Sequence, residues 1–227
     1  MAGRARNLIS HAAEHARGKV RVARARRSAD TETDQATAYW RDLSSYHASN
    51  DDDPHAIERS RWIADTLIPE LGITSLLEIG TNSGRNLRIA KQTHPELRAC
   101  GLDVNETALE HARRQAPDVE FRVQDANRWE EEPNSWDAVL TMSVLDHIPD
   151  DATEELAARI ATTARYVIAV ELWDGDAGER GAFKYGRDNK ELFERHGART
   201  VKWEMSPGQY DLEKSPLWVY VGEFPRS

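Results

Sequence analysis

Three acidic residues stand where apolar runs of the chain stop. Glu78 lies at the end of "LLEI", Asp103 closes "RACGLD" and Asp125 closes "FRVQD". A carboxylate at the end of a strand can accept hydrogen bonds from a polar ligand held over the turn that follows. Glu78 repels phosphate and suits a cationic group such as an ammonium. Asp103, 23 residues beyond Gly80, is placed to accept from both hydroxyls of a ribose. Asp125 can accept from an exocyclic amine such as that of adenine, with Ala126 leaving space beside the ring. Gly80 and Gly84 bracket Thr81, Asn82 and Ser83. Gly80 is expected to let a ligand touch the backbone, and Gly84 to let the next helix approach the strand. The spacing is G-x-x-x-G, so the G-x-G-x-x-G fingerprint of dinucleotide binders is absent. No Lys follows Gly84, so the phosphate P-loop is absent too. An amino-acid tail, a ribose and an adenine together describe S-adenosylmethionine (SAM). Further on, "SVLDHIP" places Asp146 and His147 after another apolar run. A neutral His there suits a general base near neutral pH.

These residues need a scaffold that brings strand ends together. Apolar runs at 75–79, 98–103, 119–123, 137–142 and 166–172 alternate with helical patterns at 84–93, 105–116 and 150–163. Such alternation implies a parallel sheet with right-handed crossovers. A helix at about 188–196 stops at Gly197. "RTVKWEM" and "LWVYVGEF" then read as a closing antiparallel hairpin at the sheet edge. Before the first strand, residues 28–37 read as a polar linker and 37–46 as a helix. A second helix starts at Pro54, after the acidic "NDDD", and ends at Gly72.

At this point the chain resembles the class I SAM-dependent methyltransferases. The resemblance is carried by "LLEIGTNSGRN", "GLDVN", "VQDAN" and "WDAVLTMSVLDHIP", covers 74–172 strongly and takes in the terminal hairpin more loosely. It implies an α/β fold: a Rossmann-like, doubly wound, seven-stranded sheet, mostly parallel, with an antiparallel C-terminal hairpin and added N-terminal helices. It implies SAM as cofactor, with Glu78, Gly80, Thr81, Asn82, Gly84, Asp103, Val104, Asp125, Ala126, Met142 and Ser143 around it. Many members carry Gly where this chain has Asn82. Many similar small-molecule O-methyltransferases place a His as base in the loop after the fourth strand, which makes His147, with Asp146 beside it, the catalytic candidate. Tyr46, Glu171, Trp173 and Tyr185, with Arg187, are candidates for the acceptor pocket. Tyr39, Trp40, Tyr46 and His47 are expected to cover the site from helices in a lid spanning 35–72.

Composition narrows the acceptor. The 227 residues carry six Lys against 24 Arg and a formal net charge of −9. Residues 1–30 hold eight basic and two acidic residues, +6, so the remainder carries −15. That remainder disfavours nucleic acid as a partner. No N/D-P-P-Y/F follows the fourth run, which argues against amino-methylating DNA enzymes. No Pro-Cys pair occurs, and the single Cys100 is expected before the second strand, far from the site end. No metal site is expected. The expected acceptor is a small polar molecule, such as a sugar or an amine, methylated on oxygen or nitrogen. A protein methyltransferase and a SAM-binding scaffold or regulator without catalysis are the alternatives, with a nucleotide-linked oxidoreductase of degenerate fingerprint further behind. The basic segment 1–30 reads as an arm outside the domain formed by 31–227, offering contact to an acidic surface. One cysteine and no apolar stretch of membrane-spanning length point to a cytoplasmic protein, although an Arg-rich, Ser-poor start shares some features with a mitochondrial transit peptide.

Overall fold

The computed structural model describes residues 18–43, 51–172, 178–179, 183–209 and 216–226. Seven strands form one sheet: β1 (Ser75–Ile79), β2 (Arg98–Asp103), β3 (Glu120–Val123), β4 (Trp136–Met142), β5 (Ala164–Leu172), β8 (Arg199–Met205) and β9 (Leu217–Glu223). Their order is β3-β2-β1-β4-β5-β9-β8, and a two-stranded ribbon pairs β6 (Gly178–Glu179) with β7 (Tyr185–Gly186). β9 runs antiparallel to both β5 and β8, so it is the one strand of the sheet that opposes the rest. The expected Rossmann-like sheet with its terminal hairpin is present. The chain starts at β1, winds outward to β3 and returns across β1 to β4. The switch in strand order therefore falls between β1 and β4, where an open α/β sheet offers a crevice at its carboxyl end.

The apolar runs follow from burial on both faces. All five residues of β1 are buried. Leu76 packs with Ile63, Leu67, Leu87 and Leu109 in one layer. Leu77, pointing the other way, packs with Leu156, Ile160, Phe193 and Tyr220 in the second. Helices α5 (Arg85–Thr93) and α6 (Glu106–Gln115) connect the first strands, α7 (Asp150–Thr163) precedes β5, and α8 (Asn189–Arg195) precedes the hairpin. Helix α7 passes into β5 without a loop, which is why β5 begins at Ala164 rather than at 166. Cys100 lies inside β2 and is buried, not before the strand. That burial pushes its thiol up to about 12.

The N-terminal elements depart from expectation. Helix α2 is Glu32–Arg41, not 37–46. Thr31 caps it, accepting from the backbone N–H of Asp34 at 3.1 Å, with Glu32 and Asp34 in the first turn. The polar stretch read as linker is thus a capped helix start. Helix α1, residues 18–28, buries Ala25 with Ala36, Phe183 and Tyr185, so the described part of the basic arm packs on the lid. Helix α3 (Pro54–Trp62) is capped by Asp53 and runs through a π-helical turn, Ile63–Leu67, into α4 (Ile68–Leu71). Pro69 has no N–H to give, and the turn before it widens to an Ile68 N–H to Ile63 carbonyl bond. Gly72 ends the element at φ 62°. Among the described residues no helix is long and apolar enough to cross a membrane.

Candidate functional site

One cavity spans the carboxyl ends of β1–β4 beneath α2. Its wall includes Glu78, Gly80, Thr81, Asn82, Asp103, Val104, Asp125, Ala126, Met142, Ser143 and His147, with Ala36, Thr37, Trp40 and Leu43 above. The three strand-end acids are therefore brought together, each held differently.

Glu78 is 2 % exposed. Its carboxyl accepts from Thr81 Oγ1 at 2.6 Å and from Asn86 Nδ2 at 2.5 Å. Asn86 Oδ1 in turn accepts from Ser60 Oγ at 2.5 Å, and Ser60 Oγ accepts from Arg85 Nε at 3.0 Å. A relay thus links α3, α5 and β1. Burial pushes the Glu78 carboxyl up to about 7, against the pull of Thr81, Asn86 and the Arg85 charge. Arg59, also buried, lines the cavity and donates to the carbonyl of Gly208.

Asp103 accepts from the backbone N–H of Asn82 at 2.8 Å and of Asn105 at 2.9 Å. Its pKa is raised by burial, opposed by these backbone bonds. Each oxygen keeps a lone pair for a ligand hydroxyl. Asn82 sits at φ 51°. After Gly, Asn tolerates that left-handed geometry best, which accounts for its presence where Gly is common. Asn105 caps α6, its side chain accepting from the N–H of Ala108. Asn105 Nδ2 also reaches the carbonyls of Trp40 and Leu43, at 3.2 and 2.9 Å. Asp125 accepts from Asn127 N at 2.9 Å and from Thr37 Oγ1 at 3.2 Å. The lid helix is therefore pinned to the ends of β2 and β3.

The glycines act through protein packing. A Cβ on Gly80 would lie 2.4 Å from Val144 Cγ2, so the space it leaves is filled by Val144 rather than kept for a ligand. A Cβ on Gly84 would strike Phe121 at 2.6 Å and Ala112 at 3.1 Å. Gly84 thus lets α5 seat against β3 and α6, and it lies behind the cavity wall.

After β4, Ser143 turns the chain at φ 53°, and a 3-10 turn, Leu145–His147, follows. The His147 ring packs on Trp40 with centroids 4.2 Å apart. Its Nδ1 lies 3.1 Å from the Phe183 carbonyl, which can only accept, so Nδ1 carries the hydrogen there. Nε2 lies 3.5 Å from Asp146 Oδ1, too far for a good hydrogen bond. Burial lowers the His147 pKa, opposed by the Asp146 charge.

Other expected site residues lie elsewhere. Asp146 is buried behind His147, off the cavity wall. Glu171, expected in the acceptor pocket, is 2 % exposed and accepts from the backbone of Val144 and Leu145. Tyr185 is buried beside Phe183, and its hydroxyl donates to Glu32 at 2.7 Å. Arg187 is buried too, donating to the Ile148 carbonyl, Thr153 and Asp150. Tyr46, His47 and Trp173 fall outside the described residues. Thr37, Ser60, Arg59, Arg85 and Asn86 are the site groups that sequence reading missed. Of these only Arg85 and Asn86, directly after Gly84, carried a local signal. Among the described residues no cluster of His, Cys, Asp or Glu could hold a metal ion.

The family model described as "Methyltransferase domain" matches residues 76–165. The fold is shared with the 1,6-didemethyltoxoflavin-N1-methyltransferase of Burkholderia thailandensis, crystallised with 1,6-didemethyltoxoflavin and S-adenosylhomocysteine: 19% identity, 81% of this chain and 85% of that one, TM-score 0.63. It is shared with a SAM-dependent methyltransferase from Aquifex aeolicus, at 14% identity over 80% of this chain and 98% of that one, TM-score 0.62. The [4+2]-cyclase SpnF also matches, at 15% identity over 74% and 81%, TM-score 0.60.

Proposed function

We propose that the chain, whose residues 76–165 match the methyltransferase-domain model, is a SAM-dependent methyltransferase that methylates a small polar acceptor on oxygen or nitrogen. The observation that carries this reading is the line of Glu78, Asp103 and Asp125 along one cavity wall, closed by Trp40 and His147. SAM, when bound, supplies a methyl group on a sulfonium and leaves as S-adenosylhomocysteine.

The chain's part is to hold, orient and take a proton. Glu78 and the Gly80–Ser83 turn face the amino-acid end, with Arg59 and Arg85 giving positive charge for its carboxylate. Asp103 holds the ribose, and Asp125 with Ala126 borders the adenine. Met142 and Ser143 border the reacting end. His147 takes the acceptor's proton at Nε2, since Nδ1 already carries a hydrogen. Asp146, buried and 3.5 Å from Nε2, then offers its negative charge to the imidazolium. The proposed methyltransferase unit is 31–227, with 1–30 as a basic arm.

A second reading, a SAM-binding protein without methyl transfer, draws on the same ring: packing on Trp40 and bonding to Phe183 is also what a wall residue does. The likeness to a cyclase shows that this fold is not confined to methyltransferases by name. A screen with methyl-labelled SAM against fractionated small metabolites separates the two. Label transferred to a small molecule supports catalysis. Tight SAM binding with no transfer to any fraction supports the second reading.

A further inference from the structure

His147 and Asp146 stand on the short turn Leu145–His147, and no side chain of Val144, its N-cap residue, satisfies the turn's first N–H groups. Glu171 does so from the end of β5. Its Oε2 accepts from Val144 N at 2.9 Å and from Leu145 N at 3.3 Å, and its Oε1 lies 3.3 Å from Val144 N. Leu145 is buried and Val144 partly so, and leaving the bonds of these N–H groups unmade would be costly. The bonds span 27 and 26 residues of sequence, so they are tertiary ties between β5 and the turn after β4.

A carboxyl is an odd choice for this task. It sits 2 % exposed beside Asp146, which is 7 % exposed, and two buried like charges repel. Burial and the Asp146 charge together push Glu171 up to about 8. Arg187 is the charged neighbour of both carboxyls, and its guanidinium donates to the Ile148 carbonyl, Thr153 and Asp150. Glu171 feels the Arg187 charge, and it accepts from the two backbone donors, with the Thr141 hydroxyl also beside it.

We propose that Glu171 is the positioning residue of this site: by accepting from the Val144 and Leu145 N–H groups it fixes the Val144–His147 turn and so sets the orientation of the His147 ring, whose tautomer the Phe183 carbonyl selects. A neutral Glu171 leaves the Asp146 charge, 3.5 Å from His147 Nε2, to stabilise a protonated ring. Above the range where Glu171 loses its proton, the two carboxyls repel and the turn loosens. This deepens the base role proposed for His147 and rests on it for its consequence in turnover, but the positioning itself is measurable without an acceptor.

The test is NMR of the imidazole nitrogens in the full chain, labelled with 15N-histidine and saturated with S-adenosylhomocysteine, from pH 5 to pH 9. The His147 signals are assigned by their loss in His147→Ala. The expected wild-type ring is the Nδ1–H tautomer, with a second inflection near pH 8 that reports Glu171. Glu171→Gln should keep the tautomer and lose that inflection, because the amide oxygen still accepts and carries no proton to lose. Glu171→Leu should broaden or split the His147 signals, while S-adenosylhomocysteine affinity changes by less than about threefold. Wild-type His147 signals in Glu171→Leu would overturn the proposal. So would an inflection near pH 8 that survives in Glu171→Gln, a result that remains decisive even where the Leu variant does not fold. Failure of the base reading shows elsewhere, as full turnover in His147→Ala, and leaves these spectra unchanged in meaning.

Discussion

Glu78 and Glu171 occupy matching places, one near the end of β1 and the other near the end of β5, and both are 2 % exposed. Burial raises both carboxyls, to about 7 and about 8. They differ in what holds them. Glu78 is gripped by side chains, Thr81 and Asn86, and borders the cavity. Glu171 is gripped by the backbone of Val144 and Leu145 and is sealed from the cavity. A carboxyl held by side chains can be re-poised when a charged ligand arrives, because its partners can turn. One that caps a backbone turn is committed to that turn. The β1 end is therefore read as the place where binding energy is gathered, and the β5 end as the place where the reacting geometry is kept.

That division can be broken by separating affinity from turnover. The largest expected effect lies on the β5 side. With an acceptor from the labelled-SAM screen, His147→Ala should lower turnover by ~10²–10⁴, and calorimetry should show cofactor affinity little changed. A variant that turns over normally but binds SAM poorly would move His147 to the cofactor wall and erase the contrast.

Next in size is the pH dependence of binding at the β1 end. A cationic ligand end favours ionised Glu78, so binding must displace the proton that burial favours. S-adenosylhomocysteine affinity should therefore fall by about tenfold per pH unit below about pH 7. In Glu78→Gln that slope should vanish. A slope unchanged in the variant would place the responsible proton elsewhere.

A smaller effect concerns the lid. Thr37→Val removes the hydroxyl that donates to Asp125 at 3.2 Å and should weaken cofactor binding by ~2–10-fold, the worth of one hydrogen bond. Unchanged affinity would show that α2 covers the adenine end without helping to hold it.

The smallest concerns stability. Both glutamates hold their protons more tightly in the folded chain than in the unfolded one, where the ordinary value is 4.5. The stability they contribute is fully present below about pH 4.5 and is lost as pH rises through about 7 for Glu78 and about 8 for Glu171. Glu171→Gln should therefore gain in melting temperature, relative to wild type, between pH 5 and pH 9. A constant difference across that range would mean that Glu171 is not raised.

The two ends also differ in how legible they were. β1 and β2 match the apolar runs residue for residue, because strands buried on both faces leave continuous apolar runs and the acids interrupt them. Glu78, Asp103 and Asp125 were visible for the same reason. Glu171 and Tyr185 were visible as polar groups near the site but not as buried ones. The partners that turn them inward, Val144 and Glu32, lie 27 and 153 residues away. Helix α2 was displaced in the reading because "TETD" is polar, like a linker. Its Thr31 cap, bonded to the N–H of Asp34, was the local signal passed over. Thr37 could not be found from sequence: its partner Asp125 is 88 residues on.

The central claim is that SAM lies along the acids at the ends of β1–β3, and it is tested most directly by calorimetric titration of S-adenosylhomocysteine into wild type and Asp103→Ala side by side. The account predicts one site per chain in the wild type and a loss of about 1–3 kcal/mol in the variant, the worth of charge-assisted bonds to the ribose. Equal affinity in the two proteins, or no binding to the wild type, would contradict it.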